Sequence, residues 1–496
     1  MKCMPLKSSF SNRFPSDLGA LAARAYQSLS VIGEEALELI ITLWILIMVE
    51  RTYGQQGVGI YSYLIALLYI TRYIADFGVA RHLEHEIALV GDDGPQRRQQ
   101  ITAGTGATLV TGVTASLLLL ASAAFDSAHT RIEERLTAYV VIAVILPIAN
   151  LNHLKLSIMQ GLGQHTRVAH LSLCRYGMML GGMLVLTRAR VGPSFLLLAH
   201  LVSDVGMLFL IRRRMKLPGV ALLREGRRRI AATLKQGGTY LFTDNGLDVL
   251  LNLDLFVLGL FVSAWDLGVY AEAAVIVRFF LVIPAGIKPI LRRRYNMMAA
   301  KRDMAALLRL VRRHTASLFS LHAILAVCVL LTYPVVLNFF FETRGEEMLS
   351  VKIFSIFVPG LIFYGAFSAQ EPLYEALGQV AQMRRLTMIA SGINLMLTLY
   401  LVPFAGYNGA AVATMVTMLV YFGLFGRDLL TPLGIGKTTY IVAGLAVYLV
   451  FTVLDWLALG VAADYGLAPI LLGAMFYAIG LFGVAGQTPS PVQTSL

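Results

Sequence analysis

Asn252-Leu-Asp-Leu-Phe-Val-Leu-Gly-Leu-Phe-Val-Ser-Ala-Trp-Asp-Leu-Gly-Val-Tyr270 closes one apolar run, residues 238–261, and opens the next, residues 267–287. A run of about 20 apolar residues is long enough to cross a bilayer as a helix. Two such runs joined by a short polar break read as paired spanning helices. The same signature occurs once before. Gly57-Val-Gly-Ile-Tyr61 precedes the second apolar run as Asp266-Leu-Gly-Val-Tyr270 precedes the eighth, and Gly59-Ile-Tyr61 falls on Gly268-Val-Tyr270 at an offset of 209. That offset also lays Glu35 on Asp244. A second pair, Leu162-Gly-Gln164 and Leu377-Gly-Gln379, follows at offset 215, each after a run that contains a proline, Pro147 or Pro359. Several matches in one order predict a chain built from two similar halves.

Outward from this stretch the pattern repeats along the chain. Fourteen apolar runs lie near 30–49, 58–80, 101–123, 136–158, 168–187, 193–211, 238–261, 267–287, 316–340, 351–370, 386–403, 408–426, 439–459 and 467–485. β-Barrel alternation is absent, and backbone groups in lipid must be satisfied within each segment, so the runs read as helices. The fold class is therefore an all-α polytopic membrane protein with about 14 transmembrane helices. Two six-helix lobes form a parallel repeat around a central cavity, and two C-terminal helices are appended. The expected units are residues 1–215, 216–427 and 428–496. Residues 1–26 are polar and broken by Pro5 and Pro15, so they do not read as a cleavable signal.

Composition agrees. Of 496 residues, 57% are hydrophobic and only 14% charged, with a net charge of +12. A soluble domain carries about 25% charged residues. Three dispersed cysteines, Cys3, Cys174 and Cys328, supply neither a disulfide framework nor a four-ligand zinc site. The basic excess is one-sided. Loops on the side of the N-terminus hold 31 Lys and Arg, those opposite hold 7, and Arg72, Arg175 and Arg278 lie inside spans. The positive-inside rule puts the basic side, and both termini, in the cytoplasm. No nucleic acid or cofactor is implied: Gly434-Ile-Gly-Lys-Thr438 lacks the first glycine of a phosphate loop, since Thr431 stands there. His82, Glu84, His85 and Glu86 read as an interfacial helix, not a metal site. The basic stretch 299–314 reads as an amphipathic helix on the inner leaflet, with the 212–235 loop similar. Both would meet anionic membrane lipids.

The junction sequences resemble a known family. Arg51-Thr-Tyr-Gly-Gln-Gln-Gly-Val-Gly-Ile-Tyr61 with Asp76-Phe-Gly-Val79 resembles the start of polysaccharide (O-antigen and exopolysaccharide) flippases of the multidrug/oligosaccharidyl-lipid/polysaccharide exporter superfamily. Asn252 to Gly259 followed by Asp266 to Tyr270 is similar to its seventh-to-eighth helix junction. Pro403-Phe-Ala-Gly-Tyr-Asn-Gly-Ala-Ala-Val-Ala-Thr414 resembles its eleventh-to-twelfth junction. The resemblance covers roughly residues 30–426. It implies a cavity lined by helices 1, 2, 7 and 8, and alternating access that moves a lipid-diphosphate-linked oligosaccharide from the inner to the outer leaflet for surface polysaccharide synthesis. It implies a monomeric transporter in the bacterial inner membrane rather than an enzyme, working beside polysaccharide polymerase machinery. The alternative is a cation-coupled multidrug exporter of the same fold.

The charges inside spans concentrate on those four helices: Glu34, Glu35 and Glu38 on the first, Arg72 and Asp76 on the second, Asp244, Asp248 and Asp254 on the seventh, Glu272 and Arg278 on the eighth. A charge at the centre of a span costs about 2.5–3.5 kcal/mol on insertion scales, so each is a functional candidate. Arg72 and Arg278 come to similar depth when the halves are superposed. They are candidates to clamp the diphosphate, since a guanidinium suits phosphate contact. For Arg72 the alternative is an i,i+4 pair with Asp76. Tyr69, Tyr270 and Asn252 are candidate substrate contacts, and Tyr61, Tyr63 and Tyr73 share the aromatic pattern. Asp76, Asp244, Asp248 and Glu38 are candidate ion-coupling carboxylates, because closely spaced buried acids titrate near neutrality. Arg175 and Asp204 read as an ion pair within the first lobe.

Overall fold

The computed structural model describes residues 18–90, 94–125, 135–214, 227–241, 246–340 and 347–426. The appended helices expected at 428–496 lie outside the described residues. Every regular element among the described residues is helical. In chain order they are α1 (Leu18–Asp76), α2 (Val79–Val90), α3 (Gly94–Phe125), α4 (Arg135–Gly161), α5 (His165–Arg188), a single 3-10 turn at Pro193–Leu196, α6 (Leu197–Arg214), α7 (Arg227–Gly237), α8 (Gly246–Phe261), α9 (Ala264–Ala300), α10 (Met304–Phe340), α11 (Glu347–Ser368), α12 (Pro372–Ala376) and α13 (Val380–Phe425).

The twelve runs between residues 30 and 426 fall on these helices. α1 carries the first two, with Gly54 at φ 68° making the break between its arms. α13 carries the eleventh and twelfth, with Gly406 at φ 55° doing the same. Both positions have positive φ, which glycine adopts without a Cβ penalty. The break between α8 and α9 is built differently. Ser263 caps α9: its Oγ accepts from the Asp266 amide at 3.2 Å and donates to the Asp266 carboxylate at 2.6 Å. Ser263 is thus the N-cap of α9, held in place by Asp266, and it fixes where the eighth span starts.

Two expectations need correction. The seventh span does not start at 238. Residues 238–241 form turns, with Gly238 N–H donating to Leu234 and Tyr240 N–H to Gly237, and α8 begins at Gly246. Nor is 299–314 a separate surface helix. α9 runs to Ala300, a break of three residues follows, and α10 starts at Met304, burying Leu307 and Val311. Apolar residues within this basic stretch continue the face of a spanning helix, which is the pattern an amphipathic surface helix would also show. The 212–235 loop does contain the amphipathic α7. Its Ile230 and Leu234 pack on Val79, Leu83 and Ile87 of α2.

The repeat is visible in backbone detail. Gly163 and Gly378 both have φ 72°. Around them the hydrogen bonds match one for one: Gly163 N–H to Gln160 and Gln164 N–H to Met159 in one half, Gly378 N–H to Glu375 and Gln379 N–H to Tyr374 in the other. These are glycine-terminated helix ends, and each leads straight into the next span. Equivalent residues also meet where the halves touch. A Cβ on Gly59 would lie 1.7 Å from the Ala264 carbonyl oxygen and 3.0 Å from the Gly268 nitrogen, and one on Gly268 would lie 2.3 Å from the Gln55 oxygen. α1 and α9 therefore cross backbone to backbone at glycines that the 209-residue offset pairs. A rotation axis along the membrane normal brings parallel repeats together in this way.

Outward faces carry large apolar side chains such as Leu117, Leu118, Val185, Met396 and Phe404, as a lipid-facing surface requires. Eight described helices are long and apolar enough to cross a membrane. At the basic side the halves meet again. A Cβ on Gly78 would lie 2.3 Å from the Gly237 oxygen, and Arg81 reaches Glu375 of α12 at 3.6 Å.

Candidate functional site

α1 positions three of the predicted residues on the inner side of its two arms. Glu38 is on the first arm, and Tyr69 and Arg72 are on the second. Opposite them stand Arg175 and Tyr176 on α5 and His200 and Asp204 on α6. The Tyr176 hydroxyl donates to Glu38. Arg175 Nε pairs with Asp204 at 2.9 Å, and Asn152 of α4 donates to the Asp204 carbonyl at 2.8 Å. Tyr61 and His200 share a hydrogen bond of 2.9 Å. Leu68, Tyr69, Arg72, Ala149, Arg175, His200 and Asp204 line a cleft of about 230 Å³, its open mouth included. The ion pair expected between Arg175 and Asp204 is formed, inside this lobe.

Arg72 has no carboxylate within 4 Å among the described residues. Asp76, one turn further on, is instead 3.4 Å from His153 Nδ1 on α4. The i,i+4 alternative for Arg72 is therefore absent in this conformation. Arg278 of α9 is in the same condition. Its Nη2 donates to the Asn252 amide oxygen at 3.0 Å, and no carboxylate pairs with it among the described residues. Both guanidiniums, together with Arg175 and Glu38, lie within electrostatic reach of the Tyr69 hydroxyl. Tyr69 and Arg72 line the same cleft, and Arg278 acts on the Tyr69 hydroxyl from the other lobe. Asn252 joins the group as the partner that orients Arg278.

A second polar centre lies within the second lobe. Asp254 of α8 is completely buried. It accepts from Tyr270 at 2.9 Å, from Thr398 at 3.1 Å, and closely from Thr414, whose oxygen in turn accepts from Asn394 at 2.9 Å. The Asn394 amide oxygen has no partner. No Lys or Arg among the described residues pairs with Asp254. A buried carboxylate without a counter-charge, ringed by hydroxyl and amide oxygens, is chemically suited to take up a proton or a small monovalent cation. The sequence lists Asp254 among the charges inside spans, but besides Tyr270 its partners are Thr398 and Thr414 of α13, 144 and 160 residues away, and no local pattern points to them.

Other predicted residues are engaged elsewhere in the packing. Tyr270 is fully buried with its hydroxyl on Asp254, so its ring is not free to stack on a sugar in this conformation. Tyr63 is buried too, stacked on Phe256 at 5.8 Å between ring centres. Asp76 is engaged with His153. Asp244 and the side chain of Asp248 lie outside the described residues, as do those of Glu34 and Glu35. No group of three metal-ligating side chains occurs among the described residues.

No family model matches the chain. A curated protein of Haloferax volcanii named Probable flippase AglR is 26% identical over 254 residues, 49% of this chain and 52% of that protein, so the chain spans about half the length of the relative it matches. Among solved structures, the lipid II flippase MurJ in an inward closed conformation superposes with a TM-score of 0.68 at 13% identity, covering 92% of this chain and 98% of that one. An inward-facing multidrug resistance MATE family transporter of the MOP superfamily gives 0.63 at 15% identity, covering 83% and 99%. Identities this low speak to fold alone. The chain therefore has the fold of these transporters, and about half of it is similar in sequence to a protein named as a flippase.

Proposed function

We propose that the protein flips a lipid-diphosphate-linked oligosaccharide across the cytoplasmic membrane, with its basic side in the cytoplasm. The observation that carries this reading is the pair Arg72 and Arg278. Each lies on a spanning helix without a carboxylate partner among the described residues, one on each lobe, Arg72 beside Tyr69 in the cleft and Arg278 within its electrostatic reach. An unneutralised guanidinium in a span costs several kcal/mol unless an anion completes it. A diphosphate supplies that anion, and the bilayer accommodates its lipid tail. A cationic drug would meet repulsion at the same place, which disfavours the multidrug exporter reading. The 26% identity to a protein named as a flippase supports the choice.

In this reading the lobes rock about the α1–α9 crossing and expose the arginines alternately to the two leaflets. Asp254 is the coupling carboxylate. Loading it with a proton or Na⁺ changes the charge of a sealed centre that ties α8 and α9 to α13. The ion then biases which packing of the second lobe is favoured. Glu38 is a second coupling candidate, in the first lobe. Arg278→Ala and Arg278→Lys in a complemented strain test the central assignment. Surface polysaccharide should fall at least tenfold at equal protein abundance, because a charge-assisted contact is worth about 1.5–3 kcal/mol. Wild-type polysaccharide from both variants would remove Arg278 from the site.

A further inference from the structure

Glu375 belongs to the short helix α12, which turns the chain from α11 into α13 at the basic side. It is held by two arginines. Arg292 of α9 approaches at 2.8 Å through Nε and donates through Nη2 at 3.2 Å. Arg81 of α2 approaches from the other lobe at 3.6 Å, while its Nη1 is held by Glu84 at 2.8 Å. One carboxylate thus sits between guanidiniums of both halves. All three side chains keep about a quarter to a third of their surface exposed, 25% for Arg81, 27% for Glu375 and 31% for Arg292, so the place is open to a ligand from the basic side.

The second-lobe half of this arrangement is braced. Lys288, Arg292 and Tyr295 recur at i, i+4 and i+7 and so form one face of α9. They engage Glu371 at 2.7 Å, Glu375 and Gln370 respectively. Glu371 also accepts from Tyr421 of α13 at 2.9 Å. Arg292 is therefore fixed to its own lobe, and the contact between lobes is the longer one made by Arg81. Arg384 adds a further cation at this mouth, with its Nη1 on the Thr239 carbonyl at 2.9 Å.

Depth gives the arrangement a chemical meaning. Arg292 is 14 residues beyond Arg278 on the same helix, about 21 Å along the axis at 1.5 Å per residue. Arg278 stands near the middle of the span, so Arg292 and Arg81 stand at the level of lipid head groups. Carboxylate and phosphate oxygens fit the guanidinium fork alike. We propose that Glu375 occupies, in the closed conformation, the seat of a prenyl diphosphate head group. Arg81 and Arg292 capture that group from the inner leaflet, Glu375 is displaced, and the Arg81 bridge between lobes is released. The site is a capture point separate from the deeper pair Arg72 and Arg278, and it rests on the flippase reading above. Opening is thereby tied to the presence of substrate rather than left to thermal motion alone.

The test measures the mouth itself, apart from transport. Spin labels at Ala88→Cys and Gln382→Cys, with Cys3, Cys174 and Cys328 replaced by Ser, report the separation of α2 and α13 in nanodiscs. Farnesyl diphosphate should widen the wild-type distance distribution. Farnesyl monophosphate should need at least fivefold more, and phosphatidylglycerol in the disc should leave the distribution unchanged. Arg292→Gln should respond at least fivefold more weakly to the diphosphate, and Arg81→Gln, which removes the bridge itself, should be wide without ligand. Glu375→Gln should be wide without ligand, and the exchange Arg81→Glu with Glu375→Arg should be closed again but blind to diphosphate. A wild-type mouth that ignores saturating farnesyl diphosphate would overturn the proposal, as would a Glu375→Gln mouth that stays closed. Widening by phosphatidylglycerol alone would overturn it too, because the site would then be a general anion patch. Preserved flipping by a mouth that ignores diphosphate would overturn this inference and leave the flippase reading standing.

Discussion

Arg278 stands in the middle of a 37-residue helix with an amide, not a carboxylate, as its partner. That contact is what the flippase proposal rests on at the residue scale, because a guanidinium already neutralised would say nothing about an anion. Arg72 argues the same way through what it lacks: Asp76 turns to His153 instead. Asp254 argues in the opposite sense, as a sealed acid without a base. Asp254→Asn keeps the shape and one acceptor oxygen, with hydroxyls free to turn and accept from the new amide, but cannot change charge. We expect it to fold, to bind substrate, and to lose at least tenfold of any transport driven by a proton or Na⁺ gradient. Equal transport by Asp254→Asn with each gradient would exclude it from coupling. The charged residues themselves were legible in the sequence, since an ionisable group in an apolar run announces itself. Their partners were not. Tyr270 read as a sugar platform, but its hydroxyl is used by Asp254, and only the packing of α8, α9 and α13 reveals this.

The helices were legible in number and place for a related reason: a span must be long, apolar and hydrogen-bonded within itself. Their ends were less so. Gly54 and Gly406 mark kinks within continuous helices, and α8 starts eight residues later than its apolar run suggests. The α1–α9 crossing is the element on which rocking depends. A methyl group at Gly59 or Gly268 would meet backbone, which cannot step aside as a side chain can. Gly59→Ala and Gly268→Ala should each hold the non-basic side apart, raising thiol labelling of cysteines placed at positions 55 and 264. Labelling unchanged from the parent would show that the crossing is not a gate. On the basic side, α2 packs on α7. Burial pushes the His82 imidazole below its usual value; Glu86 and the Gln236 side chain oppose this, and His85 adds to it. Its ring also lies against Tyr240 at 5.8 Å. A depressed histidine stabilises this contact fully above its unfolded value, about 6.5, and less as pH falls through that value. Hydrogen-exchange protection factors over residues 230–241 should therefore fall between pH 8 and pH 5.5. His82→Gln should abolish that difference, and an identical pH response in the variant would assign it to another group.

At the scale of the molecule, two similar halves meet at equivalent glycines on one side and at an arginine–glutamate contact on the other. The repeat was readable from four short triplets because glycine positions are fixed by backbone geometry, and Gly163 and Gly378 share even their φ. What those halves carry was less readable, because a cavity is made by side chains that converge from distant parts of the chain. The net charge of +12 resolves into the same two parts: a large basic excess on one face, and two arginines on spanning helices that no carboxylate answers among the described residues. The account stands or falls on what those two arginines hold. Purified protein in liposomes, loaded with a fluorescent polyprenyl-diphosphate oligosaccharide and exposed to an external quencher, measures this directly. The account predicts that label in both leaflets is quenched with the wild-type protein, and only outer-leaflet label with Arg72→Ala combined with Arg278→Ala. Quenching restricted to the outer leaflet with the wild type, or complete quenching with the double variant, would contradict it.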